Sequence, residues 1–494
     1  MGIHVFPVVR CGCRFHTSWL WVSISDELRN GTEPPDPKGA DEDRVSYRPC
    51  VGGVFVYWTG IRDLLHHDIN MIHRIYSPLR CLLLAALCVV SPLVSFGLDW
   101  PCFHGPDGLG VSTESKLPTR WSTDQGIAWR RPLPGKGASS PIVVNGKIYL
   151  TLQMPDTGLH VLAIDSKTGA ILWDREVGKG KARAHQLHNM ATPTAVSDGR
   201  HVWARFGTGL LVCLDTDGKP LWERSLSQEF GEYNANHGMG TSPMLLNGNL
   251  LVACMHQGPS YLMAINGHTG KTVWKTNRNL EPKDESQDSY ESPIIVNDSG
   301  HPRILLAGAE TVNAYEPKTG AEIWSHGGIK APHPYGRTIS GMAAGDGVAI
   351  VVASGFQNRG YTFGIGSTGA GKRPESDRLW TCNKFSPDCS TPVVYRGSVY
   401  FIRDDGMASC LDVKSGKAHW QERLFSANVK VSPVAADGHV YFMSGEGTCY
   451  VVDAASTMKT IAENKLGEPT LCSPAISNGQ IYLRTEAALY AVRR

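Results

Sequence analysis

Short apolar runs separated by tight turns recur along the chain from about residue 127 to its end. In the clearest copy, the apolar runs 142–144 and 148–150 flank the turn Asn145-Gly146-Lys147. Asn-Gly between β-branched runs predicts a β-hairpin, because both residues tolerate a positive φ angle. The same turn, or a variant of it, recurs at Asp198-Gly199, Asn247-Gly248, Arg396-Gly397, Asp437-Gly438 and Asn478-Gly479.

A Ser-Pro or Thr-Pro phrase stands before these apolar runs and sets the length of the repeat. Its prolines are Pro141, Pro193, Pro243, Pro293, Pro392, Pro433 and Pro474. They step by 52, 50, 50, 99, 41 and 41 residues, and the step of 99 holds a degenerate copy at Ser340-Gly341-Met342. A recurring spacing of about 40–50 residues is typical of repeat folds, so the pattern predicts eight units.

A third phrase brings a tryptophan to the end of a unit. From Asp165 to Trp173, the Asp opens a turn, Thr168-Gly169 completes it, and the Trp stands eight positions after the Asp. Asp bonds its own backbone in such turns, and Gly accepts the left-handed conformation. The large apolar face of Trp is expected to fill the gap between neighbouring sheets. The tryptophans expected to dock in this way are Trp129, Trp173, Trp222, Trp274, Trp324, Trp380 and Trp420.

Four antiparallel strands in about 40–50 residues form one blade of a β-propeller, and each unit has room for four. The last unit stops at Arg494, before its tryptophan strand, whereas residues 127–130 carry a lone Trp129 ahead of the first unit. We therefore predict an all-β, eight-bladed β-propeller over residues 127–494. Its N-terminal strand completes the last of the four-stranded antiparallel blades. A β-solenoid or a pair of sandwiches would not explain why the two ends complement each other.

The first 97 residues are expected to lie outside this fold. Basic residues precede an apolar run at 81–94, and Ser95 and Gly97 fit a cleavage site, so we predict a signal peptide over residues 71–97. The run is shorter than the roughly 20 apolar residues of a spanning helix. A membrane-anchoring helix is the alternative. We expect a periplasmic or otherwise exported protein without an integral membrane segment, a non-native or disordered extension at 1–70, and a lead-in segment at 98–126.

The charge balance excludes several classes of partner. Lys and Arg total 48 against 46 Asp and Glu, so the net charge is +2 and offers no electrostatic footprint for nucleic acid. Hydrophobic residues make up 41% and charged residues 19% of the chain, which fits a soluble globular protein and not a disordered or multi-span membrane chain. The 53 glycines follow no period of three and fit the many turns of a β protein.

The run from Ala163 to Trp173, Ala-x-Asp-x-x-Thr-Gly-x-x-x-Trp, resembles the tryptophan-docking motif of quinoprotein-type propellers, the PQQ-like repeat superfamily. The motif recurs over about residues 127–494. The lead-in from Asp99 to Ser112 looks like the mature N-terminus of bacterial exported PQQ-like propellers. The resemblance implies the propeller fold and does not specify a cofactor.

The resemblance implies two classes of function. Some members are PQQ-dependent alcohol or sugar dehydrogenases, which hold the quinone and Ca²⁺ in the axial funnel with a catalytic Asp, and those most similar place a vicinal cysteine pair against the quinone. Here no two cysteines are adjacent, and no Cys-x-x-Cys-His haem site is present. Another member is the propeller lipoprotein of the outer-membrane β-barrel assembly machinery, which is similar in shape and binds a partner protein.

We therefore expect a non-catalytic binding or scaffold module that is monomeric and carries no cofactor. Its partner is expected to be an envelope protein or a polar ligand. A PQQ-dependent dehydrogenase of alcohols or sugars, with PQQ and Ca²⁺ in the axial funnel, is the alternative.

Polar residues gather in the loops that enter the innermost strands of units 2 to 6, and such loops converge on the axis of a propeller. A cluster of His, Asn, Tyr, Glu and Arg at one axial mouth could bind a polar ligand or a metal. Hydrophilic loops over a water-filled channel are the alternative, and they need no ligand. The candidates for contact with an axial ligand are His185, His188, Asn189, Asn234, Asn236, His237, Tyr290, Glu291, Arg337 and Asp388.

The cysteines carry weaker signals. Cys382 and Cys389 flank a short loop in the sixth unit and could form a disulfide, which an exported chain permits. Cys213 and Cys410 stand at the same repeat position and are expected to be small buried core residues. No Cys-x-x-Cys pair follows Leu98, so a four-cysteine zinc site is not expected.

Overall fold

The computed structural model describes residues 11–15, 18–22 and 99–494, apart from positions 283, 299, 331–335, 354–359, 385 and 427–428. The chain divides into two units, Met1–Pro92 and Leu93–Arg494. In the first, β1 (Cys11–Phe15) and β2 (Ser18–Val22) pair as an antiparallel hairpin, where the sequence analysis predicted no strands. The predicted signal peptide at 71–97 lies outside the described residues. No helix in the described part of the chain is long and apolar enough to cross a bilayer.

In the second unit, the described residues form eight sheets, which we number as blades 1 to 8 in chain order; each has four antiparallel strands, and the sheet of blade 4 gains a fifth, parallel strand. This confirms the predicted all-β propeller. Blades 1 and 2 consist of β4 (Ile142–Val144), β5 (Lys147–Gln153), β6 (Gly158–Asp165), β7 (Ile171–Lys179), β8 (Val196–Ser197), β9 (His201–Arg205), β10 (Leu210–Asp215) and β11 (Pro220–Ser225). Blades 3 and 4 consist of β12 (Met244–Leu246), β13 (Asn249–Cys254), β14 (Tyr261–Asn266), β15 (Thr272–Asn277), β16 (Ile294–Asp298), β17 (His301–Gly308), β18 (Thr311–Tyr315) and β19 (Glu322–Gly327).

The second half of the ring repeats this order with one inserted strand. Blades 5 and 6 consist of β20 (Ala343–Gly345), β21 (Val348–Ala353), β22 (Tyr361–Gly366), β24 (Arg378–Cys382), β25 (Val393–Tyr395), β26 (Ser398–Ile402), β27 (Met407–Asp412) and β28 (Ala418–Arg423). Blades 7 and 8 consist of β29 (Val434–Ala436), β30 (His439–Met443), β31 (Thr448–Asp453), β32 (Thr460–Lys465), β33 (Ala475–Ser477), β34 (Gln480–Arg484), β35 (Ala488–Val492) and β3 (Ile127–Pro132). The inserted strand is β23 (Gly371–Arg373). The helical segments among the described residues are α1 (Leu226–Phe230) and the 3₁₀ turns Pro106–Gly108, Asp284–Gln287 and Glu375–Asp377.

The two ends of the propeller meet in blade 8, as predicted. β3 pairs antiparallel with β35, and Arg130 stands opposite Tyr490. The Arg130 Nε also donates a hydrogen bond to the Tyr490 hydroxyl at 2.8 Å. The core continues across this closure, since Ile148 of blade 1 packs in one cluster with Tyr482 of blade 8. Closure therefore pairs the two strand edges that an open ring would expose.

The tryptophans dock between blades, as predicted. Trp129 donates from Nε1 to the Ser166 carbonyl of blade 1 at 3.0 Å. A Cβ on Gly169 would lie 2.6 Å from the Trp129 ring, so the glycine permits close approach as well as a φ of 69°. Equivalent indole bonds to a carbonyl of the next blade are made by Trp173, Trp222, Trp274, Trp380 and Trp420.

Trp324 docks by a different contact. Its Nε1 has no hydrogen-bond partner among the described residues, and the Arg373 guanidinium lies over its ring, 5.2 Å from the centroid. Arg373 belongs to β23, which pairs in parallel with β19 of blade 4. In blade 5 a longer connection between β22 and β24 thus replaces the glycine turn of the other blades. Blade 5 is the degenerate copy of the sequence analysis. Its added strand β23 covers Trp324 of blade 4.

The tight turns follow the predicted chemistry with one exception. Asn145 and Gly146 have φ angles of 50° and 74°, as a type I′ hairpin requires. At Asp198-Gly199, by contrast, Asp198 uses its carboxylate to accept the backbone N–H groups of Arg200 and His201 at 2.8 and 2.7 Å. Cys213 and Cys410 are fully buried in the core, which confirms that prediction.

The lead-in segment crosses one end of the axial channel. Trp100 exchanges two backbone hydrogen bonds with Val143 of blade 1, and Gly110 accepts one from Ala435 of blade 7. Between these anchors, Phe103 reaches the cavity on the axis. Further along, the Glu114 carboxylate accepts the N–H groups of the Asn478 turn in blade 8. The segment therefore closes the channel on the side opposite the polar loops.

Candidate functional site

Hydroxyl groups that precede the innermost strands form a ring around the axis. In each link, a backbone N–H of one blade donates to a Ser or Thr hydroxyl oxygen of the next blade. The links are Ser140 to Thr194 at 2.9 Å, Thr194 to Ser242 at 3.0 Å, Ser242 to Ser292 at 2.9 Å, Gly341 to Thr391 at 3.0 Å, Thr391 to Ser432 at 3.0 Å, Ser432 to Ser473 at 3.3 Å and Ser473 to Ser140 at 3.0 Å. This hydroxyl ring explains why the repeat carries Ser or Thr at this position.

Blade 2 contributes Thr194 to the hydroxyl ring, a residue that the sequence analysis did not select. β8 pairs Val196 with Trp203 as β4 pairs Ile142 with Tyr149, which makes Thr194 the counterpart of Ser140. The predicted alignment at Pro193 was therefore wrong by two residues, because the proline of this copy stands earlier than in the others. Thr192 instead donates to the Asn189 carbonyl at 2.7 Å.

Above the hydroxyl ring lies an axial cavity of about 410 Å³. The ring hydroxyls of all the linked blades line it, together with the apolar side chains of Phe103, Leu187, Ile339 and Leu471. The predicted candidates that the fold brings together in its lining are His185, His188, His237, Tyr290, Glu291, Arg337 and Asp388.

Three predicted candidates, Asn189, Asn234 and Asn236, are not part of the lining of this cavity. Asn189 borders a separate cavity of about 210 Å³ and accepts the N–H of Ala191 with its own side chain. The backbone N–H of Asn234 donates to the His256 Nδ1 at 3.0 Å. Asn236 donates from Nδ2 to Glu285 at 2.8 Å. Short polar side chains at the base of a loop bond nearby backbone or loop groups instead of reaching the axis.

The three histidines form a stack on one side of the mouth. The rings of His185 and His237 meet edge to face with centroids 5.1 Å apart, and those of His185 and His188 lie 6.3 Å apart. Burial lowers the pKa of His188, and burial together with the nearby Arg337 guanidinium lowers the pKa of His237. Both rings therefore favour the neutral form, which can accept or donate a hydrogen bond.

Beside the histidines, an ion pair and a carboxylate hold the mouth in shape. Arg337 donates to the Glu285 carboxylate at 2.8 Å. Asp288 accepts the backbone N–H of Asn236 at 2.8 Å and the Tyr290 hydroxyl at 3.4 Å. Burial raises the pKa of Asp288 and of Tyr290. These contacts join the loops of blades 3, 4 and 5 into one rim.

Glu291 is the most deeply buried acid of the cavity lining. Its side chain is 2% exposed, and Oε1 accepts the backbone N–H of Met342 in blade 5 at 3.0 Å. Oε2 is buried and has no hydrogen-bond partner among the described residues. Burial raises the pKa of Glu291 to about 8, so the protonated carboxyl prevails at neutral pH. Next to it, Gly341 supplies no hydroxyl, and the hydroxyl ring is interrupted between blades 4 and 5.

On the opposite side, a basic residue that sequence reasoning missed enters the cavity. Lys430 forms an ion pair with Asp404 and lies 3.4 Å from the Cys389 thiol. Within the described residues, the one group of acids and thiols close enough to share a metal ion is Asp388, Cys389 and Asp404. The Lys430 ammonium already neutralises Asp404 there. Among the described residues, the three histidines are not part of such a group.

The predicted disulfide is not formed in the structure. Cys382 and Cys389 are both free thiols. Cys382 packs against the hydrophobic cluster of blades 5 and 6, whereas the Cys389 thiol faces Lys430. Burial raises the pKa of the Cys389 thiol, which keeps it in its less reactive protonated form.

Comparison with known proteins places this fold in a family. A family model described as outer membrane protein assembly factor BamB, of the PQQ-like repeat type, matches residues 106–276, 160–422 and 404–494. The chain belongs to the PQQ-like β-propeller family. The matched segments together run from the lead-in segment to the C-terminus, so this membership covers the whole propeller and confirms the resemblance drawn from the tryptophan motif.

Two relatives show the range of proteins to which the chain is similar. It is 24% identical over 275 residues to the outer membrane protein assembly factor BamB of Yersinia pestis, a match that covers 52% of this chain and 62% of the relative. It is 31% identical over 152 residues to the 1-butanol dehydrogenase (cytochrome c) of Thauera butanivorans, covering 29% of this chain and 21% of the relative. The chain thus matches less than two thirds of the length of either relative.

Solved structures agree on the fold. A europium-containing methanol dehydrogenase superposes with a TM-score of 0.60 at 13% identity, covering 79% of this chain and 90% of that chain. The quinohemoprotein alcohol dehydrogenase of Comamonas testosteroni gives 0.60 at 13% identity, covering 80% of each chain. BamB of Moraxella catarrhalis gives 0.50 at 13% identity, covering 76% and 97%. At such identities the likeness shows the architecture alone.

The cavity lacks one feature of the quinone-binding branch. Cys389 is the one cysteine among the described residues that line it, and its chain neighbours are Asp388 and Ser390. The adjacent cysteine pair that the resemblance implies for these dehydrogenases therefore has no counterpart here. The lining does not fit a quinone held in that way.

Proposed function

We propose that the protein is an exported, non-catalytic binding module whose axial cavity receives a small polar ligand. The observation that carries this proposal is the convergence of seven polar side chains from blades 2 to 6 on one cavity of about 410 Å³. Ligand cavities of this size, with apolar walls and a few convergent polar groups, are typical small-molecule sites.

The architecture supports binding without catalysis. The lead-in segment closes the channel at Phe103, so a ligand enters from the loop side alone. The rim is held by the Arg337–Glu285 ion pair and the Asp288 hydrogen bonds, which limit the entropy lost on binding. The bases Arg337 and Lys430 pair with acids outside the lining, and Glu291 accepts a backbone N–H, as in a preorganised recognition site.

Titration calorimetry on the full chain tests the proposal. Hexoses, sugar alcohols and citrate are the probes, and at least one is expected to bind with a stoichiometry of one. A double variant, His188→Ala with Tyr290→Phe, is expected to weaken that binding at least tenfold while unfolding remains cooperative. Binding that survives the double variant would place the ligand elsewhere and overturn the axial assignment.

A PQQ-dependent dehydrogenase is the competing class, favoured by the butanol dehydrogenase relative. Purified protein mixed with PQQ and Ca²⁺ distinguishes the two. We expect no quinone absorbance to remain after gel filtration and no dye-linked oxidation of ethanol or glucose. Stable quinone absorbance with alcohol oxidation would replace the proposal by the dehydrogenase.

A protein-binding scaffold is the second candidate, and a recurring surface feature favours it. The residue before the docking tryptophan is exposed and apolar in three successive blades, with Leu172 and Leu221 45% exposed and Val273 48% exposed. Repeated apolar positions on one rim are typical of interaction surfaces. If an envelope protein binds there, the triple change of these residues to Asp should abolish its co-purification while leaving the melting temperature unchanged.

A further inference from the structure

One wall of the axial cavity brings a thiol and a primary amine together. Cys389 lies just before the first strand of blade 6, and Lys430 lies just before the first strand of blade 7. The Lys430 Nζ is 3.4 Å from the Cys389 Sγ. Both residues line the cavity, so small solutes that enter it reach this wall.

The Asp404 carboxylate holds the two groups in this position. Its Oδ1 accepts the backbone N–H groups of Asp388 and Cys389, both at 3.3 Å, and its Oδ2 accepts the Lys430 ammonium. The backbone N–H of Val429 also donates to the Asp404 carbonyl at 2.7 Å. One residue therefore positions both the thiol-bearing and the amine-bearing segment, and their closeness does not depend on the lysine side chain alone.

The amine is the group that the fold places within bonding reach of this sulfur. Cys382, the predicted disulfide partner, packs against the hydrophobic cluster of blades 5 and 6, and Cys389 is the one cysteine among the described residues that line the cavity. Burial, with Asp404 and Asp388 nearby, raises the pKa of the Cys389 thiol, and the Lys430 ammonium opposes this rise. A protonated thiol exchanges slowly with disulfides in solution, so oxidation at this site favours the neighbouring nitrogen.

We propose that Cys389 and Lys430 form a reversible covalent N–O–S bridge when the protein meets dioxygen. One oxygen atom forms the new S–O and N–O bonds, and the other leaves as water. The O–O bond, the thiol S–H bond and two N–H bonds of the ammonium break, and one proton passes to Asp404 and then to solvent. Sulfur and nitrogen are oxidised and dioxygen is reduced. Two equivalents of a dithiol reverse the step and return the thiol, the amine and one water.

The bridge changes the cavity wall in two ways. It joins the loops of blades 6 and 7 covalently, and a cross-link of this kind stabilises a fold by restricting the unfolded chain. It also removes the positive charge of Lys430, so the Asp404 carboxylate loses its ion pair and the wall becomes more acidic. The oxidation state of Cys389 therefore sets both the rigidity and the charge of this wall. The inference goes beyond the proposed function, because it needs no axial ligand.

Peptide mapping of the full chain tests the bridge. The protein is kept under dithiothreitol or incubated in air-saturated buffer with catalase, which removes peroxide, and free thiols are alkylated before trypsin cleavage. In air we expect residues 385–396 to be joined to residues 424–459, because trypsin does not cleave after a modified Lys430. The joined species should be about 14 Da heavier than the two peptides together, since it gains one oxygen and loses two hydrogens. Dithiothreitol should return the separate peptides with an alkylated Cys389.

Three variants identify the partners. Lys430→Arg keeps the positive charge but has no primary amine, and Cys389→Ser has no sulfur, so each is expected to lose the bridge completely. In Lys430→Arg, air should leave the thiol or give its sulfenic and sulfinic acids, about 16 and 32 Da heavier. Cys382→Ser is the matched control, because it removes the neighbouring thiol that faces away from Lys430, and it should retain the bridge.

The wild type alone decides the chemistry, so the test stands even where a variant does not fold. A Cys389 that is fully alkylated after prolonged exposure to air, or that carries only sulfenic or sulfinic acid, would overturn the proposal. A joined species about 2 Da lighter than the two peptides together would be a direct S–N bond and would overturn it as well. Neither result bears on ligand binding, so the proposed function and this inference fail separately.

Discussion

At the scale of single residues, the axial site depends on side chains whose surroundings differ from those of their repeat counterparts. The position before the ring residue is Ser139 in blade 1 and Thr241 in blade 3, and these are short hydroxyl side chains. Blade 4 carries Glu291 there, which is long enough to reach the backbone of Met342 in blade 5. Blade 4 therefore places a carboxyl group in the axial site, because its sequence departs from the short hydroxyl residues of blades 1 and 3 at this position.

Glu291 should make the stability of the protein depend on pH in a defined direction. Burial raises its pKa from 4.5 to about 8 in the folded protein, so the folded state retains a proton that the unfolded chain releases. The resulting stabilisation is complete below about pH 4.5 and is lost as the pH rises to about 8. Glu291→Gln should remove this slope, which is worth a few kcal/mol in total at about 1.4 kcal/mol per pKa unit.

Urea unfolding at pH 5, 7 and 9 measures this effect. The wild type is expected to lose stability relative to Glu291→Gln between pH 5 and pH 9, and exposed Glu422→Gln serves as the control. Parallel pH profiles for the wild type and Glu291→Gln would show that Glu291 ionises normally in the folded protein.

At the scale of elements, the tryptophan strand and the turn of the next blade form one docking unit. The indole bonds a carbonyl of the turn, and the turn glycine lies against the ring. Gly416 in blade 6 is one example, since a Cβ there would approach the Trp380 ring to 2.5 Å. Gly397 has a similar positive φ, 76° against 66°, but nothing lies within 4 Å of its Cβ position.

These two glycines provide a matched test of the docking unit. Both Gly416→Ala and Gly397→Ala bear the strain of a left-handed alanine, about 1 kcal/mol. Gly416→Ala must also displace Trp380, and overpacking of this kind costs roughly 1–3 kcal/mol more. Urea unfolding should therefore find Gly416→Ala the less stable variant by about 2 kcal/mol. Equal losses would mean that the glycine serves the turn conformation alone.

At the scale of the whole molecule, two N-terminal segments hold the ring in different ways. β3 supplies the last strand of blade 8, whereas the lead-in segment crosses the channel and bonds blades 1, 7 and 8. The first contact decides whether the propeller is closed, and the second decides whether its cavity has a floor. The function proposed here needs both.

Two truncations separate these roles. A chain that begins at residue 127 keeps β3 and should remain a closed, monomeric propeller with a lower melting temperature and weakened ligand binding. A chain that begins at residue 133 exposes the edge of β35, and we expect it to associate or to lose cooperative unfolding. Calorimetric melting and light scattering distinguish these outcomes. A cooperative, monomeric 133–494 chain would contradict closure through β3.

The loops at the axial mouth show which residues of the site can be predicted from the sequence alone. Loop position in the repeat was enough to place His185, His237, Tyr290 and Arg337 around one cavity. It could not separate them from Asn234 and Asn236, because the direction of a side chain at a loop base is decided by the partners that it meets. Lys430 was missed for the same reason, since its cavity contact depends on Asp404 of the preceding blade.

The sequence by itself determined the number of blades, their closure and the docking of the tryptophans. These features depend on local turns and apolar runs that recur along the chain, and each repeat predicts the same local geometry. Only the tertiary structure decided the shift to Thr194, the break at Gly341 and the burial of the Glu291 carboxyl against blade 5. Such features arise between blades, where residues about 50 positions apart come into contact. A side chain that differs from its counterparts in the other repeats cannot be placed by comparison with them.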